Sequence, residues 1–202
     1  MPLPEQSRLF LARHGQTDYN LKGRFQGQLP VPLDETGRAQ ARELAERAAA
    51  YGFLALWCSP LRRARETADA VERRLGLEAV EDPRLMETDA GDWTDRTFAD
   101  VQSRAPEKFA AFLTGDPSFA FPGGESFAQQ EIRVGAAIDE IELHPLPALV
   151  VCHGMVIRAA FSARAGEWLP GGQRVPNGAI VPLSRSAEVR SDLPGSDAGI
   201  PT

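Results

Sequence analysis

Two of the three histidines in this 202-residue chain end apolar runs and precede a glycine. They stand in Leu9-Phe10-Leu11-Ala12-Arg13-His14-Gly15 and Leu149-Val150-Val151-Cys152-His153-Gly154. Short apolar runs of this kind read as buried strands. A strand that breaks into a glycine turn delivers its last side chains to the carboxyl end of a sheet, where open α/β folds build their sites. Imidazole can act as nucleophile, acid or base near neutral pH. Arg13 adds a permanently charged fork beside the first imidazole. One strand-end histidine is ordinarily a satisfied core residue. Two of them, one with an arginine attached, point to a site.

A second group lies in Ser59-Pro60-Leu61-Arg62-Arg63-Ala64-Arg65-Glu66-Thr67-Ala68. Leu61 and Ala64 belong to the buried stripe of a helix, which leaves Arg62, Arg63 and Arg65 off that stripe near its N-terminus. Cations there oppose the helix dipole unless an anion sits in front of them. Arg65 reads as part of a solvated face, whereas Arg63 gains weight from the residues around it. Glu87 follows the apolar pair Leu85-Met86 and precedes an acidic loop. Beside two histidines and two arginines it supplies the missing proton donor and acceptor.

These residues are positioned by alternating strands and helices, which predict a mostly parallel sheet with helices on both faces. Strands are expected at Arg8 to Arg13, Leu54 to Cys58, near Glu78 to Glu81, at Ala148 to Cys152 and around Ala179 to Leu183. Gln16 to Leu33 reads as a long loop able to cover a site. Asp34 is the expected N-cap of a helix carrying Ala41, Leu44, Ala45 and Ala48, closed by Gly52. Ser59 is the expected cap of the next helix, with Pro60 at its first position, Leu61, Ala64, Ala68, Val71 and Leu75 as its stripe, and Gly76 at its end. Short helices follow around Phe98 to Ser103 and Glu107 to Leu113. Ser126 and Gln129 form a capping box for a helix running to about Leu143, and Met155 to Ala165 is the last helix. Residues 1–183 read as one domain without an internal repeat. Residues 184–202, rich in Ser, Asp, Gly and Pro, read as a tail with a disordered end.

Bulk properties narrow the function. A net charge of −6 disfavours nucleic acid and anionic membranes as partners. No apolar run approaches the roughly 20 residues that span a bilayer, and the opening Met-Pro-Leu-Pro-Glu-Gln-Ser-Arg lacks the pattern of a secretory signal, so a cytoplasmic location is expected. Cys58 and Cys152 suit buried free thiols. Isolated cysteines and scattered histidines show no chelating spacing, and no metal or other cofactor is expected. A homodimer is compatible with the sequence but not indicated by it.

Arg13-His14-Gly15 with Thr17 and Asn20, then Arg24-Phe25-Gln26-Gly27, resembles the opening of the histidine phosphatase superfamily, in its phosphoglycerate-mutase-like branch. Leu33 to Ala41 and Ser59 to Ala68 resemble the family's first two helices. Arg84-Leu85-Met86-Glu87, Gly123-Gly124-Glu125-Ser126 and Cys152-His153-Gly154 are similar to its later landmarks, in the family's order. The resemblance runs from about Arg8 to Leu183 and implies a three-layer α/β/α sandwich with a mostly parallel central sheet. It implies that His14 accepts a phosphoryl group, that Arg13, Arg63 and a protonated His153 bind its non-bridging oxygens, and that Glu87 protonates the leaving oxygen and then activates water. Thr17, Asn20, Gln26 and the Gly154 backbone would stand near the phosphate. The family often has Trp-Glu-Gly after the glutamate, whereas here Trp93 runs into Thr94-Asp95.

The resemblance implies a small phosphorylated metabolite as substrate. The short interval from Glu87 to Glu125, with Asp89, Asp92, Asp95 and Asp100, favours a phosphatase over a bisphosphoglycerate-dependent mutase, because acidic walls repel a doubly phosphorylated acid. Trp93 and Phe98 suggest a partly apolar ester. A non-catalytic phospho-ligand binding module is the reading from another class.

Overall fold

Residues 8–116, 118–165 and 175–183 are described by the computed structural model. The chain runs β1 (Leu9–Arg13), α1 (Asp18–Leu21), α2 (Glu35–Ala48), β2 (Ala55–Cys58), α3 (Arg62–Leu75) and β3 (Ala79–Glu81). It continues with two short 3-10 turns, then α4 (Phe98–Arg104), α5 (Pro106–Thr114), α6 (Phe127–Ile141), β4 (Ala148–Cys152), α7 (Gly154–Ala165) and β5 (Ile180–Leu183). The strands form one sheet in the order β3-β2-β4-β1-β5. All pairings are parallel except that of β1 with β5, which is antiparallel.

Period-two alternation divides the core into two layers. Leu9, Leu11, Trp57, Val150 and Cys152 face one side and pack against Val134, Ile138 and Ile141 of α6 and Val156 and Ile157 of α7. Phe10, Ala12, Leu56, Cys58, Leu149 and Val151 face the other, against Ala41, Leu44 and Ala48 of α2 and Ala64, Ala68 and Val71 of α3. Helices on both faces make the expected three-layer sandwich. Cys58 and Cys152, both buried free thiols, lie on neighbouring strands but in opposite layers.

Several boundaries differ from the sequence reading, each for a local reason. α2 ends at Ala48, and Gly52 takes its positive φ of 65° in the turn that follows. The loop after Gln16 contains α1, because Thr17 and Asn20 form a capping box. α3 begins at Arg62 with Leu61 at the N-cap and no side-chain cap, so Ser59 does not cap it. The tail proposed for 184–202 lies outside the described residues. Among the described residues, no helix is long and apolar enough to cross a membrane.

Candidate active site

β2, β4 and β1 are neighbours in the sheet, and the residue after each strand end is Ser59, His153 and His14 respectively. The sheet pairing carries past the strand ends. The His14 amide donates to the Cys152 carbonyl at 3.0 Å and the Ser59 amide to the Val151 carbonyl at 3.0 Å. Parallel register therefore places three polar side chains side by side at one rim. The imidazoles of His14 and His153 are neighbours, with ring centroids 5.2 Å apart and planes tilted by 59°.

Both rings are buried, and each is fixed by one nitrogen. His14 Nδ1 lies 2.6 Å from the Gly15 carbonyl oxygen. A carbonyl only accepts, so Nδ1 carries the proton and the lone pair of a neutral ring is on Nε2. Burial, then the charges of Arg63 and Arg13, hold the His14 pKa well below that of an ordinary histidine, against the Gly15 contact. His153 Nε2 lies 2.8 Å from Ser59 Oγ, while its Nδ1 is buried without a hydrogen-bond partner among the described residues. Burial, then the charges of Arg63, Arg13 and Arg133, hold the His153 pKa well below that of an ordinary histidine as well. The expectation of a protonated His153 is thus corrected for the ligand-free protein: two guanidinium groups and low solvent access disfavour a further cation.

Arg63 enters in the first turn of α3 and is fully buried. Its Nη2 donates to the Gly27 carbonyl at 2.9 Å and its Nη1 to the Leu29 carbonyl at 3.0 Å, while Nε has no hydrogen-bond partner among the described residues. Burial lowers its pKa to about 10, opposed by the nearby Glu87 charge, so it remains charged at neutral pH. Arg13 donates from Nη1 to the Val175 carbonyl at 2.6 Å. Its guanidinium lies over Gly154, where an added Cβ would stand 3.6 Å from Arg13 Nε. α7 begins at Gly154, so its first amides, which lack intrahelical acceptors, start beside His153.

Thr17, Asn20 and Gln26 come together beneath His14. The Thr17 hydroxyl is 3.0 Å from both Asn20 Oδ1 and Gln26 Oε1 and accepts from the Asn20 amide. Asn177 Nδ2 joins this group to the His14 carbonyl at 2.9 Å. Glu87 is half-buried, and its Oε1 accepts from the Thr88 amide at 2.9 Å. Gln28 Nε2 donates to the Glu87 carbonyl at 3.1 Å, so the loop that holds Arg63 also holds the glutamate.

Three site residues escape sequence reasoning. Ser59 supports His153. Thr67 accepts from the Gly15 amide at 3.1 Å and donates to the Arg63 carbonyl at 2.8 Å, linking the His14 turn to α3. Asn177 follows Pro176 in a turn with no distinguishing signal. Arg65 points elsewhere, ion-paired with Asp69, Glu72 and Glu81.

The walls of the site differ from the sequence expectation in two respects. Trp93 is buried in an aromatic cluster with Phe25, Phe109, Phe119 and Phe121, so it is core rather than a substrate wall. Asp95 is bound by Arg24 and Tyr19, and Asp100 by Arg96 and Arg104, so these carboxylates are compensated. The Asp95 departure also gains a reason. Its φ is 65°, the left-handed region that glycine fills most easily and that aspartate tolerates better than most residues.

The sequence model of the histidine phosphatase superfamily (branch 1) matches residues 9–188. A glucosyl-3-phosphoglycerate phosphatase of Mycobacterium tuberculosis is 37% identical over 166 residues, covering 77% of this chain and 74% of that protein. Phosphoserine phosphatase 1 of Hydrogenobacter thermophilus is 31% identical over 161 residues, covering 79% and 76%. The solved mycobacterial glucosyl-3-phosphoglycerate phosphatase in complex with VO3 superposes with a TM-score of 0.80 at 34% identity, over 86% of this chain and 90% of that one. With the match spanning most of the chain and both strand-end histidines inside it, this protein belongs to the histidine phosphatase superfamily, branch 1.

Proposed function

We propose that this enzyme hydrolyses small phosphomonoesters through a phosphohistidine on His14, without a metal ion. The observation that carries the reading is the pairing of His14 Nδ1 with the Gly15 carbonyl. It leaves a neutral ring whose Nε2 lone pair is available as a nucleophile. Nε2 forms the N–P bond as the ester P–O bond breaks, and Glu87 gives its proton to the departing oxygen. Arg13, Arg63 and His153 Nδ1–H stabilise the non-bridging oxygens, with the first amides of α7 adding donors. Glu87, now ionised, takes a proton from water, which attacks phosphorus and restores Nε2. A phosphate dianion offsets the guanidinium charges that depress both histidines, and so favours proton uptake by His153 once substrate is bound.

We take residues 1–183 as one catalytic domain, since β1 and β5, from its two ends, pair in the same sheet. Buried free thiols suit a reducing compartment, and we assign the enzyme to the cytoplasm. Relatives named for glucosyl-3-phosphoglycerate and phosphoserine make phosphorylated hydroxy acids and amino acids the first substrates to screen.

The test mixes the protein with a limiting labelled phosphomonoester in EDTA and follows acid-labile phosphoprotein and free phosphate. A transient phosphoprotein that decays to phosphate, absent in His14→Ala, is expected. A phosphoprotein stable in water but discharged by phosphoglycerate would instead identify a mutase. Phosphate release that persists undiminished in His14→Ala would overturn the reading.

A further inference from the structure

The carboxylate of Glu87 receives hydrogen bonds only from Thr88, its neighbour in sequence, among the described residues. Its direction is therefore inherited from the backbone of residues 86–88. That backbone is held by an ion pair from outside the segment. Arg133 of α6 places Nε 2.5 Å and Nη2 2.7 Å from the two oxygens of Glu125. Its Nη1 donates to the carbonyls of Arg84 and Met86, each at 2.7 Å. From the other side, the Glu125 amide donates to the Asp89 carbonyl at 3.0 Å, and the Asp89 amide lies 3.4 Å from Glu125 Oε2. Contact this close requires Gly124, where a Cβ would stand 2.4 Å from the Asp89 carbonyl oxygen. Arg84, Met86 and Asp89 bracket Glu87, and the ion pair touches all three.

We propose that Glu125 and Arg133 are positioning residues that aim the Glu87 carboxyl at the leaving oxygen. This rests on Glu87 being the proton donor. The guanidinium satisfies a carboxylate with one edge and two carbonyls with the remaining nitrogen, a division that a lysine ammonium cannot reproduce. A misplaced acid harms substrates in proportion to their need for a proton. An alkyl alcohol leaves poorly unprotonated, whereas p-nitrophenolate leaves readily. Uniform loss of folded protein would scale both rates equally.

The experiment compares kcat/KM for p-nitrophenyl phosphate and an alkyl phosphate such as glycerol phosphate, since this parameter reports the step that expels the alcohol. Wild type, Glu87→Ala, Arg133→Lys, Arg133→Met, Glu125→Gln and Glu87→Ala combined with Arg133→Lys are measured, with thermal midpoints as the folding control. Glu87→Ala is expected to raise the ratio of aryl to alkyl kcat/KM by about 100-fold or more, and the Arg133 and Glu125 variants by about 10-fold. The double variant should match Glu87→Ala alone. Arg133→Lys keeps the charge that His153 feels, so a raised ratio there reports geometry. Equal loss on both substrates in the Arg133 and Glu125 variants, with the ratio still raised in Glu87→Ala, would overturn the positioning role. An unchanged ratio in Glu87→Ala itself would overturn the acid assignment, and the positioning role with it.

Discussion

The His14–His153 pair works as two differently tethered imidazoles. His14 is tied at Nδ1 to a backbone carbonyl, while His153 is tied at Nε2 to a hydroxyl. Ser59 Oγ also accepts from the Leu61 amide at 3.2 Å, so its own proton is free to go to His153 Nε2. That leaves the His153 proton on Nδ1. Ser59→Ala should remove this constraint and leave a buried nitrogen unpaired, destabilising the fold by about 1–3 kcal/mol. Imidazole ¹⁵N shifts should then show a mixture of His153 tautomers, together with reduced kcat/KM. A single Nδ1–H tautomer in the variant would contradict the role. Arg63 offers a second case. Two of its nitrogens are committed to Gly27 and Leu29, and an ammonium cannot both replace that fork and face a phosphate. Arg63→Lys should therefore lower kcat by at least about 100-fold, in the range for loss of one transition-state donor. A loss below tenfold, measured at saturating substrate, would show that charge alone suffices.

The elements were legible in proportion to how local their causes are. The capping box of Ser126 with Gln129, the αL end of α3 at Gly76 and the apolar stripe of α2 depend on residues a few positions apart and stand where the sequence places them. Of the stripe expected in α3, Ala64, Ala68 and Val71 are buried in the helix, whereas Leu61 is its N-cap and Leu75 is half-buried. Arg63, expected off the stripe, is buried as well. His14, Arg63, Glu87 and His153 could be named as candidates because they occur in order within recognisable surroundings. Ser59, Thr67 and Asn177 were not, because their partners lie 94, 52 and 163 residues away. Close element contacts were equally hidden. The His14 turn abuts the start of α2 so tightly that a Cβ on Gly15 would stand 2.3 Å from the Gly37 carbonyl oxygen, backbone against backbone. Gly15→Ala should therefore cost at least about 1–3 kcal/mol and displace the nucleophile. In α6, by contrast, a Cβ on Gly135 would meet Ala163 Cβ at an ordinary 3.5 Å. Gly135→Ala should stabilise the helix by about 0.5–1 kcal/mol, visible as a raised denaturation midpoint with activity retained. A lowered midpoint would mean that α6 and α7 are packed too closely for the added methyl.

Concentrating two neutral histidines and two arginines at one sheet rim ties the stability of the whole molecule to pH. In the unfolded chain each histidine titrates near its ordinary value of about 6.5. In the native protein burial, followed by Arg63 and other nearby cations, holds both values well below that. Above pH 6.5 neither state binds these protons, so the two residues contribute nothing to the pH dependence. Below it the unfolded chain takes them up while the native protein does not, so stability falls as pH falls until the native values are reached. Each histidine contributes a slope of about 1.4 kcal/mol per pH unit. The pair therefore makes the fold acid-sensitive below pH 6.5, against the roughly 5–15 kcal/mol that holds a typical domain together. Ordinary carboxylates titrate near 4, and it is the substitutions, not the window alone, that assign the slope to the candidate site. Urea unfolding across this window should show the full slope in the native sequence and about half of it in His14→Gln or His153→Gln. Saturating inorganic phosphate should flatten the slope, because a bound dianion raises the native values toward the unfolded ones. A slope unaffected by either substitution would show that the acid sensitivity arises outside the candidate site.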